Sequence, residues 1–192
     1  MPQTNPAALE FLMTRRSRPA KTLAAPVPDP DRLRILLTAG ARAPDHGKLE
    51  PWRFVVLEKP ALDRLAGLVR ARGEALGSAP DRIEKAYRQF ADADLAVAVV
   101  ASPKPSDDIP ETEQLLSAGA VCLSLLNAAL ADGWGANWLT GWPSRDSDFL
   151  SEGLGLAPRE SIAGFIHIGT ETVSPPERPR PDIDAITSWI RS

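Results

Sequence analysis

ETEQLLSAGAVCLSLLNAALAD, residues Glu111 to Asp132, followed by Gly133-Trp134-Gly135, decides how this chain folds. Leu115, Leu116, Val121, Cys122, Leu125, Leu126, Ala129 and Leu130 return at steps of three and four, the period of an α-helix. Ala118, Gly119, Ala120, Ser124, Ala128 and Ala131 fill most of the other faces. A helix that is apolar nearly all round is expected to be buried on nearly all sides, and its small residues let other backbones come close. The stretch reads as the central helix of the domain. Two readings stay open: one buried helix in a monomer, or in addition a packing surface for a second subunit.

Downstream, Gly133 to Trp142 places Trp134, Trp138 and Trp142 among Gly133, Gly135 and Gly141. This pattern suits either flat apolar walls around a planar ring or a strand whose tryptophans fill the core. Ser147 to Leu154 reads as a short helix, and Glu160 to Thr170 as a strand that contains His167. A histidine inside such a strand is expected to be packed or hydrogen-bonded, not catalytic. The tail carries Arg178 and Arg180 between prolines. Asp184 to Ile190 is expected to form a last short helix that docks Ile186, Trp189 and Ile190.

Upstream, Ala93 to Ala101 is a nearly continuous apolar run of strand length, suited to the centre of a sheet. Pro6 to Thr14 predicts a first helix with Asn5 as its cap and an apolar face of Ala8, Leu9, Leu12 and Met13. It runs into Arg15-Arg16-Ser17-Arg18, a candidate anion site, because guanidinium groups match phosphate oxygens and a hydroxyl adds a donor. The plain reading of the same residues is a solvated basic helix end. Asp31 is the expected cap of a second helix carrying Leu33, Leu36, Leu37 and Ala41, which Pro44 ends. His46 lies in the polar turn that follows, before a strand from Arg53 to Glu58. Leu62 to Leu76 and Ile83 to Phe90 read as helices, and Ser102 to Pro110 as a loop.

These elements give an α+β or α/β layered domain, with crossovers that predict partly parallel pairing. The 192 residues, 43% hydrophobic and 24% charged, suit one soluble domain over 1–192 with an extended C-terminal arm from about residue 171. A net charge of −3 speaks against nucleic acid as a partner. The single cysteine, Cys122, excludes an internal disulfide and is compatible with a reducing compartment; with neither a signal peptide nor a membrane span expected, the cytoplasm is the expected location. Two distant histidines and one apolar cysteine speak against a metal. GxGxxG after a strand, Walker A, HExxH and GxSxG are all missing. What is left suits a phosphate-bearing planar cofactor better than hydrolysis.

On these residues the chain resembles the nitroreductase family of FMN flavoproteins, most of all its small, single-domain YdjA-like branch. Arg15-Arg16-Ser17 is similar to the family's Arg-Arg-Ser segment. Arg42-Ala43-Pro44-Asp45-His46 with Pro51-Trp52 resembles the small branch's second flavin segment. Gly133-Trp134-Gly135 and Trp138-Leu139-Thr140 resemble Gly-x-Gly-x-x-Trp, and Arg178-Pro179-Arg180 after Gly169 resembles the basic tail.

The resemblance implies a nitroreductase-like α+β fold with a mixed central sheet flanked by helices, and a homodimer with exchanged terminal segments and FMN at the subunit interface. It implies that Arg15, Arg16 and Ser17 contact the phosphate or ribityl chain and that Arg178 or Arg180 closes over the phosphate. Arg42 and His46 would approach from the partner, and Trp138, Leu139 and Thr140 would line the ring. Either Arg18 or Lys21, or neither, replaces the cation that larger members carry after the Arg-x-Ser segment. Lys48 and Glu50 stand where amides are common. The implied activity is ping-pong hydride transfer from NADH or NADPH, through flavin N5, to a nitroaromatic, quinone or similar small-molecule acceptor. No side chain of the protein serves as the catalyst. The alternative is a flavin-binding or sensing protein with little turnover.

Overall fold

A computed structural model describes residues 3–191. Strand β3, Leu95–Ala101, is buried at all seven positions. Its alternation sorts the core into two halves. Ala96, Ala98 and Val100 point to one face and meet α3 (Lys59–Ala75) and α4 (Pro80–Ala91). Leu95, Val97 and Val99 point to the other and meet α5 (Glu111–Ala131) and α2 (Pro30–Gly40). Small alanines on the first face leave room for three buried aromatics. Phe90 of α4 lies 5.5 Å from Phe149 and 5.3 Å, edge-on, from Phe165.

Among the described residues the sheet has five strands: β1 (Leu23–Ala24), β2 (Trp52–Glu58), β3, β4 (Gly135–Leu139) and β5 (Ser161–Glu171). All four pairings among the described residues are antiparallel: β1 with β5, β2 with β3, β3 with β5, and β4 with β5. The expected mixed sheet is therefore corrected. The crossover through α5 does join two strands that run the same way, β3 and β4. Strand β5 lies between them and pairs with both, so no parallel ladder forms.

Helix α5 ends where its sequence predicts. Gly133 takes a left-handed φ of 88°, the amide of Gly133 donates to Leu130 O and that of Trp134 to Ala129 O. These two bonds satisfy the last carbonyls and turn the chain into β4. Burial of α5 is less complete than expected. Ala118, Val121, Cys122, Leu125 and Ala129 are sealed against the sheet, while Leu115, Leu116 and Leu123 are exposed. This helix is long and apolar enough to cross a membrane, and here its buried face packs on the core.

Helix α1 (Pro6–Thr14) has the predicted limits, and Asn5 accepts from the Ala8 amide at 3.1 Å. None of its residues is buried; Leu9, Leu12 and Met13 stand out from the surface. The cap of α2 is Asp29, not Asp31: Asp29 accepts from the Arg32 amide at 2.7 Å, and Pro30 occupies the first turn. Asp31 sits inside that turn, where its charge favours the helix dipole. The helix stops at Gly40, before Pro44. The expected terminal helix over Asp184–Ile190 does not form. Ile186, Trp189 and Ile190 are exposed, and so short a segment has no helical stability without a surface to pack on.

The start of β5 is fastened to β2 by Arg53, which donates two 2.7 Å bonds to the Glu160 carboxylate. The Arg53 side-chain bond, ahead of the other neighbours, lowers the Glu160 pKa from 4.5 to about 2. The contribution is complete above the unfolded pKa and is lost as pH falls from about 4.5 through about 2. Glu160→Gln should flatten the acid limb of a stability–pH curve below pH 5, by about 1 kcal/mol at neutral pH. Urea midpoints measured between pH 3 and pH 7 check this.

Candidate active site

The arginine segment leaves α1 and is tied directly to β4. The Arg18 amide donates to Ala136 O at 2.8 Å, and Asn137 Nδ2 donates to Arg18 O at 2.5 Å. Within the segment Arg15 donates to Ser17 Oγ at 3.2 Å. The tail returns here: Arg180 reaches the Arg15 carbonyl at 3.5 Å and pairs with Glu177 at 2.9 Å. Arg178 offers Glu177 its backbone amide at 2.8 Å. Burial, then Arg180 and Arg18, lowers the Arg15 pKa. An arginine stays protonated regardless, so the cluster concentrates positive charge. Arg15 Nε and Arg16 Nη1 are covered and have no partner. Buried donors without acceptors, beside gathered guanidinium groups, are the arrangement an anion completes.

The chain continues from this segment into Pro19–Lys21, on the wall of a cleft of about 820 Å³; Arg15, Arg16, Ser17, Arg178 and Arg180 do not themselves line it. Its walls are the Pro19–Lys21 turn, the second half of α4 with Lys85, Arg88 and Gln89, and the run from Asn137 to Trp142. Trp138 is held by a bond from its Nε1 to Ala163 O at 3.1 Å. Its ring lies across Gly164, where any Cβ would overlap it. Leu139 and Thr140 follow at the rim. Lys21 lines the cleft, whereas Arg18 is engaged by Glu171 at 3.3 Å. Of those two cations, Lys21 is the one that faces an occupant.

Three wall features were not read from the sequence as site residues. Helix α4 carries Arg82, Lys85 and Arg88 on one side, a stripe that has the look of a solvated face. Trp142 lines the cleft with Nε1 covered and unpartnered. His167 is packed as expected but makes no hydrogen bond, and burial lowers its pKa to about 4, so it is neutral near pH 7.

Arg42 and His46 do not join the cleft. Their loop is anchored on the first turns of α5. Ser117 Oγ donates to Pro44 O at 2.7 Å, and His46 Nδ1 lies 2.9 Å from Glu113. The loop is held by Asp45, whose carboxylate accepts from the Leu49 and Glu50 amides at 3.2 and 2.8 Å. Lys48 and Glu50, with φ of 54° and 47°, carry left-handed backbone there. Both residues are exposed, so neither presents a covered polar group to an occupant.

The description of the nitroreductase family matches residues 12–170, from the first helix through β5. The chain belongs to the nitroreductase family. It is 36% identical over 163 residues to YdjA of Escherichia coli (strain K12), a candidate NAD(P)H nitroreductase, covering 85% of this chain and 87% of that one. A candidate NAD(P)H nitroreductase of Haemophilus influenzae is 34% identical over 165 residues, covering 85% and 88%. Among solved structures, a nitroreductase-like family protein from Bacillus cereus superposes with a TM-score of 0.80 at 23% identity, covering 100% and 99%. A candidate nitroreductase from Desulfovibrio desulfuricans, solved in complex with FMN, superposes with a TM-score of 0.73 at 23% identity, covering 99% and 100%. The region matched to the family, residues 12–170, contains Arg15–Ser17, the α4 wall and Trp138–Thr140.

Proposed function

We propose that this nitroreductase-family protein is an FMN-dependent NAD(P)H oxidoreductase that passes hydride to a nitroaromatic, quinone or similar organic acceptor in ping-pong order. The observation that carries the reading is the pair of covered, unpartnered guanidinium nitrogens on Arg15 and Arg16, beside Arg180, in the segment that leads into Pro19 on the wall of a cleft that Trp138 also lines. That donor set fits a phosphate, and the cleft volume fits a planar ring system. It agrees with the names of the relatives in Escherichia coli and Haemophilus influenzae and with the FMN complex from Desulfovibrio desulfuricans.

Arg15, Ser17 and either Arg178 or Arg180 hold the phosphate, with Arg16 alongside. Trp138, Leu139 and Thr140 hold the ring. When bound, FMN would supply the redox chemistry that links the nicotinamide to the acceptor. The protein positions and tunes. Lys21 and the cations of α4 favour negative charge in the cleft. No nucleophile is needed, and burial holds the Cys122 thiol near 12, so it stays protonated within the core. The cytoplasm is the fitting compartment for such a chain. Steady-state oxidation of NADH or NADPH at several quinone concentrations tests the order: parallel double-reciprocal lines support it, intersecting lines contradict it.

The working form in this reading is a homodimer in which the partner brings its Arg42 and His46 to the ring. Support comes from the apolar surface that one chain leaves open: Leu115, Leu116 and Leu123 on α5, Leu9, Leu12 and Met13 on α1, and Trp189 and Ile190 in the tail. A soluble protein rarely exposes so much without a partner. Leu116, 74% exposed, is the position to change. Leu116→Asp should leave the fold intact, give a monomer by light scattering, and weaken FMN binding at least tenfold through loss of about 1.4 kcal/mol or more.

A further inference from the structure

We propose that His167 is a hydrogen-bonding partner for the occupant of the cleft, and that the polar edge of the bound ring system, not its hydrocarbon edge, faces the cleft floor. The assignment rests on the flavin reading above. His167 stands on β5 opposite Asn137 of β4 and Ala96 of β3. It belongs to the sheet face that carries α4, the face shared by Phe165. Only 2% of the residue is exposed, and neither ring nitrogen has a partner.

A neutral imidazole has one donor and one acceptor. Leaving both unpaired in a core is costly, and natural proteins rarely tolerate it. The possible sources of a partner are few. Asn137 already gives its Nδ2 to Arg18 O. Ala96, Ala20 and Ala93 have no polar side chain. On one side His167 borders an internal void of about 10 Å³, at the lower limit for a single water, whose one other polar side chain is Asp94. On the other side it lines the main cleft.

Among the described residues of that cleft, the covered polar side-chain atoms without partners are the two nitrogens of His167 and Nε1 of Trp142. Two donors and one acceptor remain to be satisfied. A heterocycle edge with alternating carbonyl and N–H groups answers that set; a methylated hydrocarbon edge does not. His167 is thus a positioning residue that orients the ring in the cleft.

With only two histidines in the chain, nitrogen NMR of the protein labelled with ¹⁵N-histidine reads the contact directly. His46→Asn assigns the two imidazoles. The apo protein should show His167 as a neutral imidazole, and adding FMN should move its ring-nitrogen resonances well beyond their linewidth. In parallel, His167→Phe should bind FMN about 3- to 10-fold more weakly, and His167→Gln, which restores a donor and an acceptor, should recover most of the loss. FMN that binds while both His167 nitrogens keep their apo shifts overturns the inference and leaves the flavin reading standing. Failure of the wild-type protein to bind FMN removes the flavin reading and this assignment with it.

Discussion

Arg15→Ala should lower FMN affinity by about 10- to 150-fold. A charge-assisted hydrogen bond to a phosphate is worth about 1.5–3 kcal/mol, which sets that range. The loss should fall on binding alone. In the free protein the Arg15 side chain donates to Ser17 Oγ alone among the described residues, so its truncation breaks little of the fold. Arg15→Lys should recover part of the affinity, since it keeps charge but not the forked donor geometry. Equilibrium titration of flavin fluorescence measures all three proteins. Wild-type affinity in Arg15→Ala would remove the phosphate role from the segment.

The largest effect on stability is expected at Phe90. Its ring is fully buried between Phe149 and Phe165, over the alanine face of β3. Phe90→Ala opens a cavity under α4 and should cost about 3–5 kcal/mol. For a chain of this length that is a fall in Tm on the order of 10 °C. Helix α4 carries Lys85, Arg88 and Gln89 on the cleft wall, so the same substitution should weaken FMN binding as well as folding. Thermal melts with and without FMN separate the two losses. A melt within 2–3 °C of wild type would mean that the aromatic cluster does not anchor α4.

How far the sequence carries can be judged from particular residues. The period of Glu111–Asp132 and the apolar run ending at Ala101 place the central helix and the central strand, because deep burial leaves a pattern independent of neighbours. Asn5 and Pro6 place the start of α1 to the residue. Between Asp29 and Asp31 the sequence is ambiguous, since both flank Pro30 and only geometry shows which carboxylate reaches the Arg32 amide. The antiparallel sheet was not legible: where β5 inserts depends on contacts of long sequence separation. Nor was the fate of the tail, because Ile186, Trp189 and Ile190 have the pattern of a docking helix but no surface of their own chain to dock on.

The same division holds at the site. Arg15-Arg16-Ser17 and Trp138-Leu139-Thr140 announce themselves as local clusters. The α4 wall does not, because a charged stripe on an amphipathic helix looks the same whether it faces water or a cleft. His167 was expected to be packed or hydrogen-bonded in its strand; it is packed, and its ring makes no hydrogen bond. Its neighbours across two strands turn out to be an alanine and an asparagine whose Nδ2 is given to Arg18 O. That combination appears only when three segments far apart in sequence are aligned.

The most direct test of an FMN-dependent oxidoreductase is an absorbance spectrum of the protein, saturated with FMN, before and after anaerobic addition of NADH or NADPH. Oxidised flavin bands should bleach with at least one nucleotide and return when a quinone is added. Flavin bands that stay unchanged with both nucleotides, or a protein that takes up no FMN, would contradict the oxidoreductase reading.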